Sequence, residues 1–165
     1  PQGVLLGKNV VGGAISVITA KPKFDPSGKA TISLGNYDSV MAGGYVTGPL
    51  TENIAGRVAF QTRNRAGYSR NVALGYDMDD LKSHQVRGEL LYRAPEADLQ
   101  ALLTFDYGSS QSNGSAKTMT DDPFAAGVGA ITAYRIARGL GPRESTSPQR
   151  EYTNRITRGA SLRVD

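Results

Sequence analysis

Few residues of this sequence could carry out chemistry, and they do not form a catalytic set. Asp77, Asp79 and Asp80 could offer oxygen ligands to Ca²⁺. Their spacing departs from the D-x-[DN]-x-[DN]-G pattern of calcium loops, so we interpret them as a solvated acidic loop. The chain has no cysteine and one histidine, His84, which excludes cysteine and multi-histidine metal centres. We interpret His84 as a loop or strand-edge residue.

The segment from Gly3 to Lys8 has a partial likeness to the phosphate-binding loop G-x-x-x-x-G-K-[ST]. The spacing is one residue short, Asn9 replaces the required Ser or Thr, and no strand-to-helix transition follows. No nucleophile, base and orienting acid can be assembled from the remaining residues. The sequence therefore predicts no catalytic residues, no cofactor and no metal site, and the protein is predicted not to be an enzyme.

The charge balance also bears on possible partners. The chain has 19 Lys and Arg against 15 Asp and Glu, a net charge of +4. These cations are scattered singly along predicted strands and loops instead of forming a basic patch. The sequence therefore predicts no nucleic-acid partner.

The elements that would position a site are strands with alternating polarity. The clearest runs over residues 99–107, and its two sides are Leu99, Ala101, Leu103, Phe105 and Tyr107 against Gln100, Thr104 and Asp106. Further strands are predicted at 29–35, 40–48, 55–65, 85–93 and from about 152 to the last residue. The polarity of residues 40–48 is ambiguous because small residues occupy both sides. The turns at 49–54 and 94–98 are short, whereas the loops at 66–84 and 109–151 are long.

One side of these strands is apolar and the other is charged. The charged side carries Arg57, Arg63, Arg87, Glu89, Arg93 and Asp106. The sequence contains no run of about 18 apolar residues, so it predicts no membrane helix. Strands that cross a bilayer need only about 9–11 residues. Alternation is equally typical of a soluble antiparallel sheet with one solvated face, so it does not choose between the two.

The second long loop contains a predicted short helix. Asp122 and Pro123 are suited to its N-cap and first position, and Arg135 and Arg138 would lie near its end. Gly139 or the pair Gly141–Pro142 would terminate it. The alternative is an irregular loop, because Gly127 and Gly129 weaken a helix.

An ordered motif series begins the chain. The positions that carry it are Pro1, Gln2, Gly3, Gly7, Lys8, Asn9, Gly12, Gly13, Ile15, Val17 and Thr19. This series resembles the C-terminal part of the plug domain of TonB-dependent outer-membrane receptors. Residues 35–38 and 48–51 are similar to that family's first hairpin and first periplasmic turn. Leu6 and Val10 depart from the usual aromatic and threonine, which leaves the subfamily open. The resemblance covers residues 1 to about 107, and no such resemblance is recognised in residues 109–151.

The resemblance implies an all-β fold, namely a partial transmembrane antiparallel β-barrel of about six strands preceded by the end of a plug. The whole barrel would have roughly 22 strands around a plugged lumen. The implied domains are the plug (1–22), a connector (23–28) and the first barrel strands (29–165). The sequence is expected to begin inside the plug and to end inside a strand.

The same resemblance implies a function in the bacterial outer membrane. This would be TonB-coupled uptake of a scarce nutrient, most often a ferric siderophore and sometimes a cobalamin or oligosaccharide. The implied partners are the TonB energy-transducing protein, bound through a preceding segment, outer-membrane lipid and a ferric chelate. Candidate contacts to an anionic ligand are Tyr68, Arg70, Tyr76, Arg143 and Arg150. The alternatives are a passive porin-like or adhesion barrel without a plug, and a soluble β-sandwich binding module.

Overall fold

The computed structural model describes residues 18–115 and 130–165. The motif series of residues 1–17 and the predicted helix start at Asp122 lie outside the described residues. The elements are β1 (Ser27–Gly35), β2 (Ser39–Pro49), β3 (Ile54–Arg65), β4 (Ser69–Asn71), β5 (Tyr76–Met78), β6 (Leu81–Arg93), β7 (Gln100–Ser112), α1 (Ala130–Ala137), β8 (Glu144–Ser145) and β9 (Thr153–Val164).

Two sheets account for the strands. Six long strands form one antiparallel sheet in the order β1-β2-β3-β6-β7-β9, so each long strand pairs with the next long strand along the chain. The three short strands form a second sheet, β5-β4-β8, in which β4 and β8 are parallel. The predicted all-β class is therefore confirmed as a mostly antiparallel sheet. Within the described ranges, no helix is long and apolar enough to cross a membrane.

The structure corrects several predicted boundaries. β6 begins at Leu81 instead of residue 85, and β7 continues to Ser112 instead of residue 107. The two long connections therefore cover 66–80 and 113–152. Polar side chains occupy both sides of these strand ends, so alternation could not reveal them, although backbone pairing continues. His84 is paired with Thr62 and Ser109 inside the sheet, so its assignment to a loop or strand edge was wrong.

Backbone register places most of the large apolar side chains of the six long strands on one side, although Leu91 and Leu102 lie on the opposite one. One row of cross-strand neighbours on this side is Val46, Val58, Gly88, Phe105 and Ala160. We call this side the apolar face and the opposite side the polar face. The ambiguity of β2 is resolved by pairing, because Val46 lies opposite Val58 and alternation then fixes the remaining residues of the strand.

The apolar face is exposed along its whole length. Phe60 is 49% exposed, Phe105 51% and Leu162 66%. No element within residues 18–115 or 130–165 packs across it, since the long strands contact only their neighbours in the sheet. The second layer that a soluble sandwich requires is thus not provided by the described part of the chain.

The segment before β1 crosses the polar face at the end with the short turns. The Lys23 amide donates a 2.9 Å hydrogen bond to Thr47 Oγ1 on β2. The Phe24 ring centre lies 4.6 Å from the guanidinium carbon of Arg93. Arg93 is on the polar face of β6, because the preceding residue, Tyr92, is on the apolar face. At this end of the sheet, Ala55 is fully buried on the polar face. The connector therefore covers this end of the polar face, and Pro26 lies beside Gly48 on the apolar face.

Candidate ligand-binding site

Three connections meet at the long-loop end of the sheet, because β1, β3 and β7 all run toward it. The turn between β1 and β2 holds Tyr37 and Asp38 at positive φ (61° and 52°), which makes a tight reversal. The amide of Ala66, just after β3, donates a 2.8 Å hydrogen bond to the Tyr37 carbonyl. This contact joins the first turn to the first long loop.

Four side chains from these connections form what we call the arginine–tyrosine cluster: Tyr37, Arg65, Tyr68 and Arg143. The two tyrosine rings are 5.7 Å apart between centres and tilted by 54°. The guanidinium carbon of Arg143 lies 5.9 Å from the Tyr37 ring centre and 5.7 Å from that of Tyr68. Arg143 also donates a hydrogen bond to the Tyr37 hydroxyl. The guanidinium carbon of Arg65 lies 4.9 Å from the Tyr68 ring centre.

The cluster contains two residues that the sequence singled out and two that it did not. Tyr68 and Arg143 were candidates and are brought together across 75 residues of chain. Tyr37 and Arg65 were missed as site residues. Tyr37 could have been identified as a site residue because it is a single aromatic residue in the middle of a predicted turn. Arg65 had no distinguishing feature, because it is one of several charged residues at the ends of strands.

The other three candidates lie in the same layer but form separate contacts. The guanidinium carbon of Arg150 lies 5.1 Å from the Tyr76 ring centre. The Glu151 amide donates a 3.3 Å hydrogen bond to the Tyr76 hydroxyl. Arg70 Nη1 lies 3.7 Å from Asp77 Oδ1, and both side chains are more than half exposed. The five candidates thus occupy one end of the molecule without forming a single pocket.

The small sheet holds the two long loops against each other. The amide of Arg70 on β4 donates a 2.9 Å hydrogen bond to the carbonyl of Arg143, just before β8. Asn71 is fully buried, and its side-chain amide donates a 3.0 Å hydrogen bond to the Ser147 carbonyl. The Asn71 side-chain oxygen accepts bonds from two amides of the following turn. These bonds set the position of the backbone that carries the candidate side chains.

The end of α1 also helps to position the second loop. Gly139 has a φ of +64°, and the Leu140 amide donates a 2.9 Å hydrogen bond to the Arg135 carbonyl. The Gly139 amide bonds the Ile136 carbonyl at 2.9 Å, which completes a Schellman motif. The predicted termination at Gly139 is therefore confirmed. Arg135 in turn donates to the Glu144 carbonyl at 3.3 Å, which ties the helix to β8.

The acidic triplet is largely structural. Asp79 is 8% exposed and accepts a 2.5 Å hydrogen bond from the Ser115 hydroxyl. Asp80 accepts a 2.5 Å bond from the Asn113 amide. The interpretation of a solvated acidic loop was thus wrong for these two residues and holds for Asp77. Within the described ranges, no three acidic, histidine or cysteine side chains are grouped as metal ligands.

Ion pairs lie in the middle of the polar face. Arg87 donates two hydrogen bonds to Asp106, of 2.6 and 3.1 Å. Arg57 Nε lies 3.9 Å from Glu89 Oε2, and its guanidinium carbon lies 3.9 Å from the Tyr45 ring centre. Both ion pairs join residues directly opposite each other on neighbouring strands. The middle of the charged side predicted from alternation is therefore paired and partly buried.

Comparison with known proteins gives partial matches. The ferrioxamine B receptors of Salmonella typhimurium strains SL1344 and LT2 are each 37% identical to this chain over 65 residues. The matched stretch is 38% of this chain and 9% of each receptor, so the chain spans a small part of the length of these relatives. No family model matches the chain, and no solved structure matches it. Over the matched stretch, the chain is similar to a ferrioxamine B receptor.

Proposed function

We propose that this chain is part of a bacterial outer-membrane receptor that imports a ferric siderophore through coupling to TonB. The observation that carries the proposal is an exposed apolar face, on a sheet whose other face is charged and crossed by the preceding segment. The partial similarity to ferrioxamine B receptors supports the ligand class. Resemblance of residues 1–19 to a plug motif supports the coupling to TonB.

The upper edge of the apolar face lies at two levels. On β1 and β2 it includes Leu34 and Val40, which are paired with each other. The same row continues to Lys82 on β6, where the first apolar side chain is Val86, four residues further along the strand. On β3 the corresponding residue is Phe60. Tyr107 on β7 shares the row of Phe60 and Val86. The upper edge therefore drops by four residues between β2 and β3 and stays level from β3 to β7.

The lower edge shifts in the same direction. On β2 the last large apolar side chain is Val46, which shares a row with Gly88 on β6. On β3 the apolar series continues past that row to Ile54, which shares a row with Tyr92 on β6 and Ala101 on β7. The apolar band is thus displaced by four residues between β2 and β3 and has the same width on both sides of this step. A membrane plane that crosses tilted strands displaces the apolar band along the register in this way.

The width of the band fits a bilayer. On β7 the apolar series from Leu99 to Tyr107 covers roughly 27 Å of strand. At a tilt of about 40° this projects to roughly 20 Å, near the apolar height of about 25 Å in outer-membrane barrels. Tyr92 and Tyr107 are 41% and 45% exposed near opposite edges, where aromatic girdles are placed. Tyr107 is not at the end of its strand, because β7 continues beyond this edge.

The domain organisation belongs to the same proposal. Residues 29–165 would form the first strands of the barrel wall, with the polar face turned to the lumen. Residues 1–22 would be the end of a plug in that lumen, and residues 23–28 the connector. The contacts of Lys23 and Phe24 with the polar face support this arrangement. These contacts favour a receptor over a passive porin-like or adhesion barrel, because such a barrel has no plug and needs no connector that starts in the lumen.

We further propose that the long-loop end contacts the ligand. The arginine–tyrosine cluster, together with Arg70, Tyr76 and Arg150, presents guanidinium groups beside aromatic rings. Stacking on rings restricts the conformations of a guanidinium group, which favours binding of carboxylate or hydroxamate oxygens at its edge. Arg143 is the central residue, because it contacts both tyrosines of the cluster.

Uptake measurements test this proposal. The full-length receptor is expressed in cells that lack other siderophore receptors, and uptake of ⁵⁵Fe-ferrioxamine B and of anionic ferric siderophores is followed. We expect uptake that requires TonB, and a half-saturation concentration raised about tenfold by Arg143→Gln, since a charge-assisted hydrogen bond contributes about 1.5–3 kcal/mol. Glu52→Gln, an exposed charge in a short turn, is the control and should change nothing.

Two results would contradict the proposal. Uptake at the same rate with and without TonB would indicate a passive barrel. A chain that is compact and monomeric in water without detergent would indicate a soluble sandwich whose second layer covers the apolar face.

A further inference from the structure

The segment that enters β1 is stiffened by two prolines. It reads Pro22-Lys23-Phe24-Asp25-Pro26, and we call these five residues the strap. Proline fixes its own φ and restricts the residue before it to extended conformations. The backbone is therefore restricted at Asp25 and at both prolines, and also at Lys21 just before the strap. Such a segment is suited to holding one conformation on a surface, not to serving as a flexible hinge.

The strap is bonded to the polar face through one threonine. The Lys23 amide donates a 2.9 Å hydrogen bond to Thr47 Oγ1 on β2. The Thr47 hydroxyl in turn donates a 2.8 Å hydrogen bond to the Gly56 carbonyl on β3. Thr47 is 3% exposed, so both bonds are shielded from water. The Phe24 ring adds a contact with the guanidinium group of Arg93 on β6.

The strap also lies at the most buried end of the polar face. Pro22 is itself buried. Ala55 and Leu91, which are paired near the ends of β3 and β6, are 0% and 1% exposed. Departure of the strap would return apolar surface and the Thr47 hydroxyl to water. Both changes oppose its release.

Residues 18–21, just before the strap, are held more weakly. Lys21 Nζ lies 3.5 Å from Asp165 Oδ2, but the two side chains are 43% and 55% exposed. Water screens such an ion pair, which therefore contributes little. Ile18 is 90% exposed. Attachment to the sheet is thus firm from Pro22 onward and weak before it.

We propose that the strap stays bound to the barrel wall throughout import, so that the part of the plug that moves ends at Lys21; this inference rests on the proposed function. A pull on the plug reaches the strap through the weakly held residues 18–21. The least stable contacts open first, so these residues yield before the strap does. The limit of the movement is then set by Thr47 and by the two prolines.

Thiol labelling at position 22 tests whether the strap stays in place. Pro22→Cys is introduced into the full-length receptor with any other cysteines removed. Its reaction rate with a small water-soluble maleimide is measured in cells, with and without import of ⁵⁵Fe-ferrioxamine B or an anionic ferric siderophore. A buried thiol reacts only when its surroundings open, so we expect import to change the rate less than about twofold.

Two variants in the Pro22→Cys background show that the assay detects release of the strap. Thr47→Val removes the anchor, and Thr104→Val is the matched control. Thr104 is 9% exposed and lies in the same row as Thr47, three strands away. One hydrogen bond contributes a factor of about two to ten, so Thr47→Val should raise the labelling rate about tenfold and Thr104→Val less than about twofold.

A reversible cross-link tests the same point through uptake. Cysteines replace Phe24 and Arg93, and a bifunctional thiosulfonate reagent joins them. Uptake is measured in cross-linked cells before and after a reductant opens the link. We expect the same uptake rate in both states, because the strap and the wall do not separate.

A labelling rate that rises severalfold during TonB-dependent uptake would show that the strap leaves the wall. Uptake that is blocked by the cross-link and restored by reductant would show the same. Equal labelling rates in Thr47→Val and Thr104→Val would remove Thr47 as the anchor. Each of these results overturns the inference while uptake still requires TonB, whereas uptake that proceeds without TonB refutes the proposed function and the inference with it.

Discussion

The two faces of the six-stranded sheet differ in a way that reverses the pattern of water-soluble proteins. On the apolar face, Val58 and Phe105 are half exposed. On the polar face, Thr47 and Glu89 are 3% and 4% exposed. Water-soluble sheets bury their apolar face and leave the charged one in solvent. The difference teaches that, in this sheet, burial is greatest where polar side chains pack against each other and not on the apolar face.

A charge placed in the middle of the apolar face tests this difference most strongly. In the full-length receptor refolded into lipid vesicles, Phe105→Arg should lower the free energy of unfolding by about 2–4 kcal/mol. Its neighbours across the strands, Gly88 and Ala160, are small, so steric conflict is minor and lipid exposure dominates. Gln61→Arg on the polar face is the control and should cost less than about 1 kcal/mol. Equal costs in urea titrations would show that the apolar face does not meet lipid.

On the polar face, burial should decide how much an ion pair contributes to the free energy of unfolding. Glu89→Ala should cost about 2 kcal/mol, because the side chain of its partner Arg57 is only 13% exposed and would lose its carboxylate. Asp106→Ala breaks a shorter pair, but the side chains of Asp106 and Arg87 are 37% and 34% exposed. Water screens such a pair, so the loss should stay below about 1 kcal/mol. Urea titrations that rank Asp106→Ala above Glu89→Ala would contradict this explanation.

Two glycines of the apolar face should respond differently to the same substitution. A Cβ added at Gly44 would lie 2.5 Å from the Lys29 carbonyl oxygen, so β1 and β2 would have to move apart. A Cβ at Gly88 would meet nothing within 4 Å. Gly44→Ala should therefore cost about 1–2 kcal/mol, whereas Gly88→Ala should be neutral or slightly stabilising. A thermal midpoint lowered equally by both would show that close strand approach does not matter here.

Alternation predicted those strands in which apolar and polar side chains are separated on the two sides. Residues 55–65 and 99–107 each separate apolar from charged side chains, and both strands have the predicted faces in the structure. β2 carries small residues on both sides, so its faces were assigned only through pairing with β1 and β3. The strand ends near Leu81 and Ser112 were missed because polar side chains occupy both sides of the strand there. Backbone hydrogen bonds extend a strand without requiring any side-chain pattern.

The candidate site was less predictable than the sheet. Residue type and loop position were enough to propose Tyr68 and Arg143, since aromatic and arginine side chains in long loops often bind ligands. Their contact with Tyr37 and Arg65 depends on three separate parts of the chain meeting at one end. No local pattern encodes that meeting.

The sequence by itself determined which side of each alternating strand is apolar, since side chains of successive residues point to opposite sides of any extended strand. It also limited the end of α1 to Gly139 or the pair Gly141–Pro142, because few other residues adopt positive φ without strain, and the structure selects Gly139. Only the tertiary structure decided the strand register, the step of the apolar band between β2 and β3 and the arginine–tyrosine cluster. These features depend on contacts between residues far apart in the chain, which form only when the strands and loops have assembled.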